Sequence, residues 1–300
     1  MLRKAMMIMM LCTASFWGGA HAARADVTPE LDAPTCTQTT PADHLAIALH
    51  PEDDRSLALA EAFRDHLALQ GKDPAIINAL YKASIKTGVD FELLLLKAIM
   101  ESDLGRLTVA AHSTARGVFQ YIEPTWLILM SRHGKALGYP QYQEAVQISR
   151  KTGNPYLNKR DEFLRSEILA LRHDPEVSAQ MKALQIIEET EVIRSLKKKK
   201  EVTATDHYIA HMLGLNLAKV FYDMMNKGSP LALAKLNKPE MREATKLNKQ
   251  FFFEKGRALN ATESYGRFTR SVKRELASIE KVGAAPYSPP CGDIVNAALR

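Results

Sequence analysis

The feature that most constrains this chain lies between Asp90 and Gly105, where it reads Asp-Phe-Glu-Leu-Leu-Leu-Leu-Lys-Ala-Ile-Met-Glu-Ser-Asp-Leu-Gly. Asp90 is a good helix cap, so the spacing predicts a helix from Phe91 to about Ser102. Leu93 to Leu96, Ala98, Ile99 and Met100 leave it little polar face. A helix that is apolar almost all round is buried from most sides. The neighbouring segments supply its cover. Residues 52–70 have helical spacing, and Asp73-Pro74 opens a second helix, with proline at the first helical position. Ile76, Ile77, Leu80, Ala83 and Ser84 recur there at three and four, and Gly88 ends the helix. Further helices are expected over 125–133, 161–172, 176–196, 205–226, 239–254 and 262–280, with 104–124 an irregular loop around Gly105, Gly117 and Pro124. Strand patterns are almost absent and no internal repeat stands out. The fold class is all-α.

The 300 residues suffice for one large domain or two modest ones. A formal charge of +6 suits an anionic partner, whether nucleic acid, a membrane surface or a cell wall with peptide carboxylates. Neither paired Cys/His zinc ligands nor an aromatic-basic strand motif is present, so nucleic acid is not expected. Lys197 to Lys200, followed by Glu201, reads as an exposed loop between helices, or else as a contact to anionic wall polymer.

The beginning of the chain points to export. A basic Met1-Leu2-Arg3-Lys4 precedes an apolar run from Ala5 to Gly18, followed by Ala20-His21-Ala22 and Ala23-Arg24-Ala25. This is the three-part grammar of a secretory signal peptide over residues 1–25, too short for a membrane span. Cys12 lies inside the run, and the Met9-Met10-Leu11 before it is not a lipoprotein box. A cleaved, soluble, periplasmic product beginning near Asp26 is expected, with no stable membrane insertion. It retains Cys36 and Cys291. The oxidising compartment favours a bridge between them, with two free thiols as the alternative.

Glu101 is the candidate for chemistry. Burying a carboxylate is costly. Apolar surroundings and the negative end of a helix dipole both favour its neutral form. A protonated carboxyl near neutral pH is what a glycosidic general acid needs. An acid that merely turns into water at a helix end is the plainer alternative.

An ordered set of motifs surrounds it: Gly88-Val89-Asp90, Leu94 through Ile99, Glu101-Ser102, Ser113-Thr114-Ala115-Arg116-Gly117-Val118-Phe119-Gln120, then Pro124-Thr125-Trp126. Together these resemble the soluble lytic transglycosylases, relatives of goose-type lysozymes, most strongly over residues 74–130. Tyr208-Ile209-Ala210-His211-Met212-Leu213-Gly214 stands where the family often carries Ala-Tyr-Asn-Ala-Gly. It looks closer to a branch with Tyr-x-Ala-His-x-x-Gly, as do Arg172-His173-Asp174-Pro175 and the stretch from Asn248 to Phe253.

The resemblance implies a lysozyme-like α-domain over 73–228 with a long groove for glycan. From composition and helical spacing instead, residues 26–72 read as a Pro/Thr-rich arm and a helix, 229–282 as a C-terminal helical extension and 283–300 as a turn-rich tail. The resemblance also implies cleavage of the β-1,4 bond between N-acetylmuramic acid and N-acetylglucosamine without water, with Glu101 as acid and then base. The partner would be peptidoglycan glycan strands, with a possible place in an envelope-spanning machine. No cofactor and no metal is called for. Ser102 and Gln120 would hydrogen-bond sugar or acetamido groups. Phe119 and Tyr121 would wall the groove or pack in the core. Tyr208 would bind the substrate and His211 would hold Glu101 or the substrate, a satisfied buried histidine being the alternative for His211. Asp103 reads as a cap or loop acid and Trp126 as core. Two other readings stay open: a water-using muramidase, which would want a second acid, and a non-catalytic wall-binding or secretion-assembly protein on the same fold.

Overall fold

The structure, a computed structural model, describes residues 54–106, 108–109, 113–198 and 200–284. The expected signal peptide, the Pro/Thr-rich arm, Cys36 and Cys291 lie outside the described residues. What is described is mostly helical, in agreement with an all-α fold.

The first three helices lie where the sequence places them, the second starting one residue after the expected Pro74. α1 spans Asp54–Leu69, α2 spans Ala75–Thr87 and α3 spans Phe91–Ser102. The Asp73 carboxylate accepts from Ala75 N at 2.8 Å, and Asp90 accepts from Leu93 N at 2.9 Å. Gly88 closes α2 in the left-handed region at φ 72, a conformation that side chains rarely adopt. α3 buries Phe91, Leu94, Leu95, Leu96 and Ala98. It also buries Lys97, which its apolar pattern does not announce.

α4 (Glu123–His133) sets Trp126 in the core, with its indole N–H donating to Ile168 O at 2.7 Å. α5 (Pro140–Ala145) leads into a short hairpin of β1 (Val146–Ile148) and β2 (Pro155–Leu157), paired Val146↔Leu157 through Ile148↔Pro155. The expected helix over 161–172 is a composite. Single 3-10 turns, Glu162–Leu164 and Leu171–His173, flank α6 (Arg165–Ala170).

α7 (Pro175–Leu196) is capped by Asp174, which accepts from Glu176 N and Val177 N. It packs along α2 and against α8 (Ala204–Asn226). α8 is two helical pieces meeting at Gly214, whose φ 69 and ψ 155 are open to glycine and costly for other residues. The expected helix over 239–254 breaks at Asn248. α9 (Pro239–Leu247) and α10 (Lys249–Phe252) lie on either side of it, and residues 253–254 form β3 of a two-residue hairpin with β4 (Arg257–Ala258). α11 (Ala261–Gly283) is opened by a capping box of Asn260 and Glu263 and lies across α8, α1, α10 and α3.

One hydrophobic core extends from Leu59 of α1 to Ile279 of α11. Its centre is aromatic. Phe251 and Phe268 stack at 4.1 Å, and Tyr208 meets both edge-on, at 5.6 and 5.7 Å. Aromatic pairs of this kind contribute about 0.5–1.5 kcal/mol beyond their buried area. This cluster fixes α8 against α10 and α11, and with it the position of His211. Among the described residues no helix is long and apolar enough to cross a membrane.

Candidate active site

The end of α3 is shaped by its last turn. Asp103, Leu104 and Gly105 all have positive φ, at 54, 54 and 80. Asp103 N returns to Ile99 O and Leu104 N to Ala98 O, so the helix stops at once. Ser102 is 1% exposed, and its hydroxyl accepts from Gly105 N at 2.8 Å. It therefore ties down the outgoing turn. Asp103 pairs with Arg106 at 2.6 Å in solvent, a loop acid as its position suggests.

The loop after α3 is pinned from behind. The buried Arg172 guanidinium donates to Thr114 O at 2.7 Å and to Tyr121 O at 3.2 Å. Gly117 lies so close to this strut that a Cβ there would stand 1.8 Å from Arg172 O, which only glycine allows. Gln120, at φ 46, donates its amide to Gly117 O at 2.7 Å. A non-glycine residue held in the left-handed region is local strain of about 1–3 kcal/mol, of the kind that gathers at functional sites. Phe119 and Tyr121 are buried, and Tyr121 leans on Trp126 at 5.1 Å. Tyr208 is buried in the aromatic centre, where desolvation pushes its hydroxyl above the usual phenol range.

The structure joins Glu101 to His211. Glu101 Oε1 lies 3.3 Å from His211 Nδ1, with the side chains 10% and 26% exposed. Among the described residues no other polar contact reaches the Glu101 carboxylate. Burial pushes the His211 imidazole below its ordinary value. The Lys97 and Lys182 charges push the same way, while Glu101 and Glu189 oppose them. A neutral imidazole thus faces the carboxyl.

Beneath this pair lies a set of buried charges absent from the sequence expectations. Lys97, 4% exposed, donates to His207 O at 3.1 Å. Burial brings its ammonium down to about 8, Lys182 adds to the effect, and Glu189 and Glu101 counter it. From α7, Lys182 stands over the Tyr121 ring at 4.6 Å and the Phe119 ring at 5.2 Å, and donates to Gln185 at 3.1 Å. The same Gln185 oxygen accepts from Tyr121 OH at 2.8 Å, and its amide donates to Glu189 at 2.9 Å. Burial would raise the Glu189 carboxyl, but His207, Lys97 and Lys182 outweigh it and hold it down to about 2.

His207 closes the set. Thr190 donates its hydroxyl hydrogen to Ile186 O at 2.7 Å, so its oxygen accepts from His207 Nε2 at 3.1 Å. His207 Nδ1 faces Glu189 Oε2 at 3.8 Å, beyond hydrogen-bond length, and is buried without a partner among the described residues. Gln185 and Glu189 also line a cleft of about 210 Å³ between α4, α7 and α8. Thr125, Leu129, Arg132, Val192 and Leu215 line it.

Lys97, Lys182 and Glu189 escaped the sequence reading because each sits among residues of unremarkable helical spacing. The one available signal was Lys97, a charge in the middle of an otherwise apolar helix face. No known protein-family model matches the chain.

Proposed function

We propose that this chain is an exported peptidoglycan lytic transglycosylase on a lysozyme-like fold with additional flanking helices. Supporting this is one observation above the rest: a nearly buried carboxyl, Glu101, at the end of an apolar helix and 3.3 Å from a His211 imidazole that burial keeps neutral. A carboxyl with one neutral partner and its other oxygen uncommitted is suited to give a proton and then take one back.

In this mechanism Glu101 protonates the glycosidic oxygen between N-acetylmuramic acid and N-acetylglucosamine as the C1–O bond breaks. The muramic N-acetyl oxygen attacks the anomeric carbon, an exception to the two-carboxylate scheme. The Glu101 carboxylate then takes the C6 hydroxyl proton, and that oxygen displaces the acetamido oxygen to close a 1,6-anhydro ring. His211 orients the Glu101 carboxyl throughout. Gln120, itself buried, holds the strained turn through its amide bond to Gly117 O. Ser102, Phe119, Tyr121 and Tyr208 support the site from within, since each is buried.

The hydrolytic alternative calls for a second acid that activates water, and Glu189 is the available carboxylate. That carboxylate is instead engaged by the Gln185 amide at 2.9 Å and held low by His207, Lys97 and Lys182. A turnover assay on purified peptidoglycan tests the proposal. Wild-type protein releases soluble fragments and Glu101→Gln does not. Equal release by both proteins contradicts it, and release by neither favours a binding protein on the same fold.

A further inference from the structure

Two rungs join α3 to α8. The upper is Glu101 Oε1 to His211 Nδ1 at 3.3 Å, and the lower is Lys97 Nζ to His207 O at 3.1 Å. The spacing is the same on both helices: Lys97 lies four residues before Glu101, and His207 four residues before His211. One helical turn therefore separates the rungs on each side.

We propose that Lys97 is a positioning residue that sets the register of α3 against α8 and so holds Glu101 against His211. The lower rung is a charge-assisted hydrogen bond in a site that excludes water, where such bonds are strong. Its acceptor is the carbonyl one turn below His211, so the ammonium grips the backbone that carries the imidazole. A lysine is otherwise a poor occupant of this position. It is 4% exposed on a helix whose other buried residues, the terminal Ser102 apart, are Phe91, Leu94, Leu95, Leu96 and Ala98.

Its charge is balanced from the third wall of the site, where Glu189 is the opposite charge acting on it most strongly. The charged groups acting on His211 are Glu101 and Lys97 from α3 and Glu189 and Lys182 from α7. Lys97 and Lys182 oppose protonation of the imidazole, while Glu101 and Glu189 favour it. Lys97 thus acts on the pair twice, through register and through charge. The part concerning turnover rests on the lytic reading above; the part concerning His211 does not.

The test follows the His211 ring by NMR across pH in the full chain, beside peptidoglycan turnover, for wild type and Lys97→Met. In the wild type the His211 resonances show their own midpoint below the ordinary histidine value and a second inflection near the Lys97 value of about 8. In Lys97→Met the second inflection disappears, and kcat falls about 10–100-fold with KM within about twofold, as expected for a misplaced reacting group. A role in packing alone would lower the melting temperature and leave the titration of His211 unmoved. Folded Lys97→Met with wild-type His211 titration and wild-type kcat overturns the proposal. If that variant does not fold, the wild type decides: a His211 curve without the second inflection overturns it. If wild-type protein cleaves no peptidoglycan, the lytic reading fails and the titration alone judges the positioning role.

Discussion

Helix α8 carries two buried carboxylate clusters little more than one turn apart, and they are built on opposite principles. Asp206, fully buried, is saturated. Its Oδ2 accepts from Lys197 Nζ at 2.6 Å, Thr203 N at 2.7 Å and Thr203 Oγ1 at 2.8 Å, and its Oδ1 from Tyr222 OH at 2.7 Å and Tyr265 OH at 3.2 Å. These partners come from the α7–α8 connection, α8 and α11, so the cluster fastens three segments. Burial raises the Asp206 carboxyl, but Lys197, Tyr222 and Thr203 together hold it below the usual range. Among the described residues Glu101 has one polar contact, His211, and the same neighbourhood leaves His207 Nδ1 without a hydrogen-bond partner. A satisfied cluster fixes a fold. An incompletely satisfied one, with charges arranged around a reachable carboxyl, has capacity left for a ligand.

Substitutions that sever the two clusters should therefore separate activity from stability. The largest effect is expected at Glu101→Gln. Turnover of purified peptidoglycan should fall below detection, while the melting temperature changes by no more than the equivalent of about 1 kcal/mol, the substitution being nearly isosteric. Asp206→Asn should do the reverse. It leaves Lys197 buried without its counter-charge, which costs about 3–5 kcal/mol in comparable cases. Denaturant unfolding checks this, with activity per folded molecule retained. His211→Ala should lower turnover about 10–100-fold, the range for a group that positions or assists a proton transfer, with little change in melting. Equal losses of melting and activity would return His211 to the core.

The smallest effect is a pH slope. Asp206 and Glu189 both have folded values below their ordinary ones, 3.8 and 4.5. Their stabilisation is present above those ordinary values and is lost as pH falls through the folded ones, toward about 2 for Glu189. Wild-type stability should therefore fall steeply from about pH 4.5 downward, and Glu189→Gln should flatten part of that slope in acid-unfolding curves.

The sequence and the structure part company in an orderly way. Where a capping residue stands beside a clear apolar period, the sequence suffices: Asp90 opens α3 and Gly88 closes α2. It fails where elements are too short to have a period, as in the hairpin of Val146–Ile148 with Pro155–Leu157, or where a break lacks proline or glycine, as at Asn248. At the site, Glu101 and His211 are legible, but the buried charges around them are not. Lys97, Lys182 and Glu189 come from two helices, and only packing brings them together. Lys197 misleads in the opposite sense. It opens a run of lysines that reads as exposed, yet it is buried on Asp206 and donates to Glu201 O.

The central claim is that Glu101 breaks the glycan strand without water, and the ends of the products record this. Mass spectrometry of peptidoglycan digested by the wild-type protein, with Glu101→Gln as the control, should find fragments ending in 1,6-anhydromuramic acid, and none above background with the variant. Fragments ending mainly in free reducing muramic acid would contradict the account and make the protein a hydrolase.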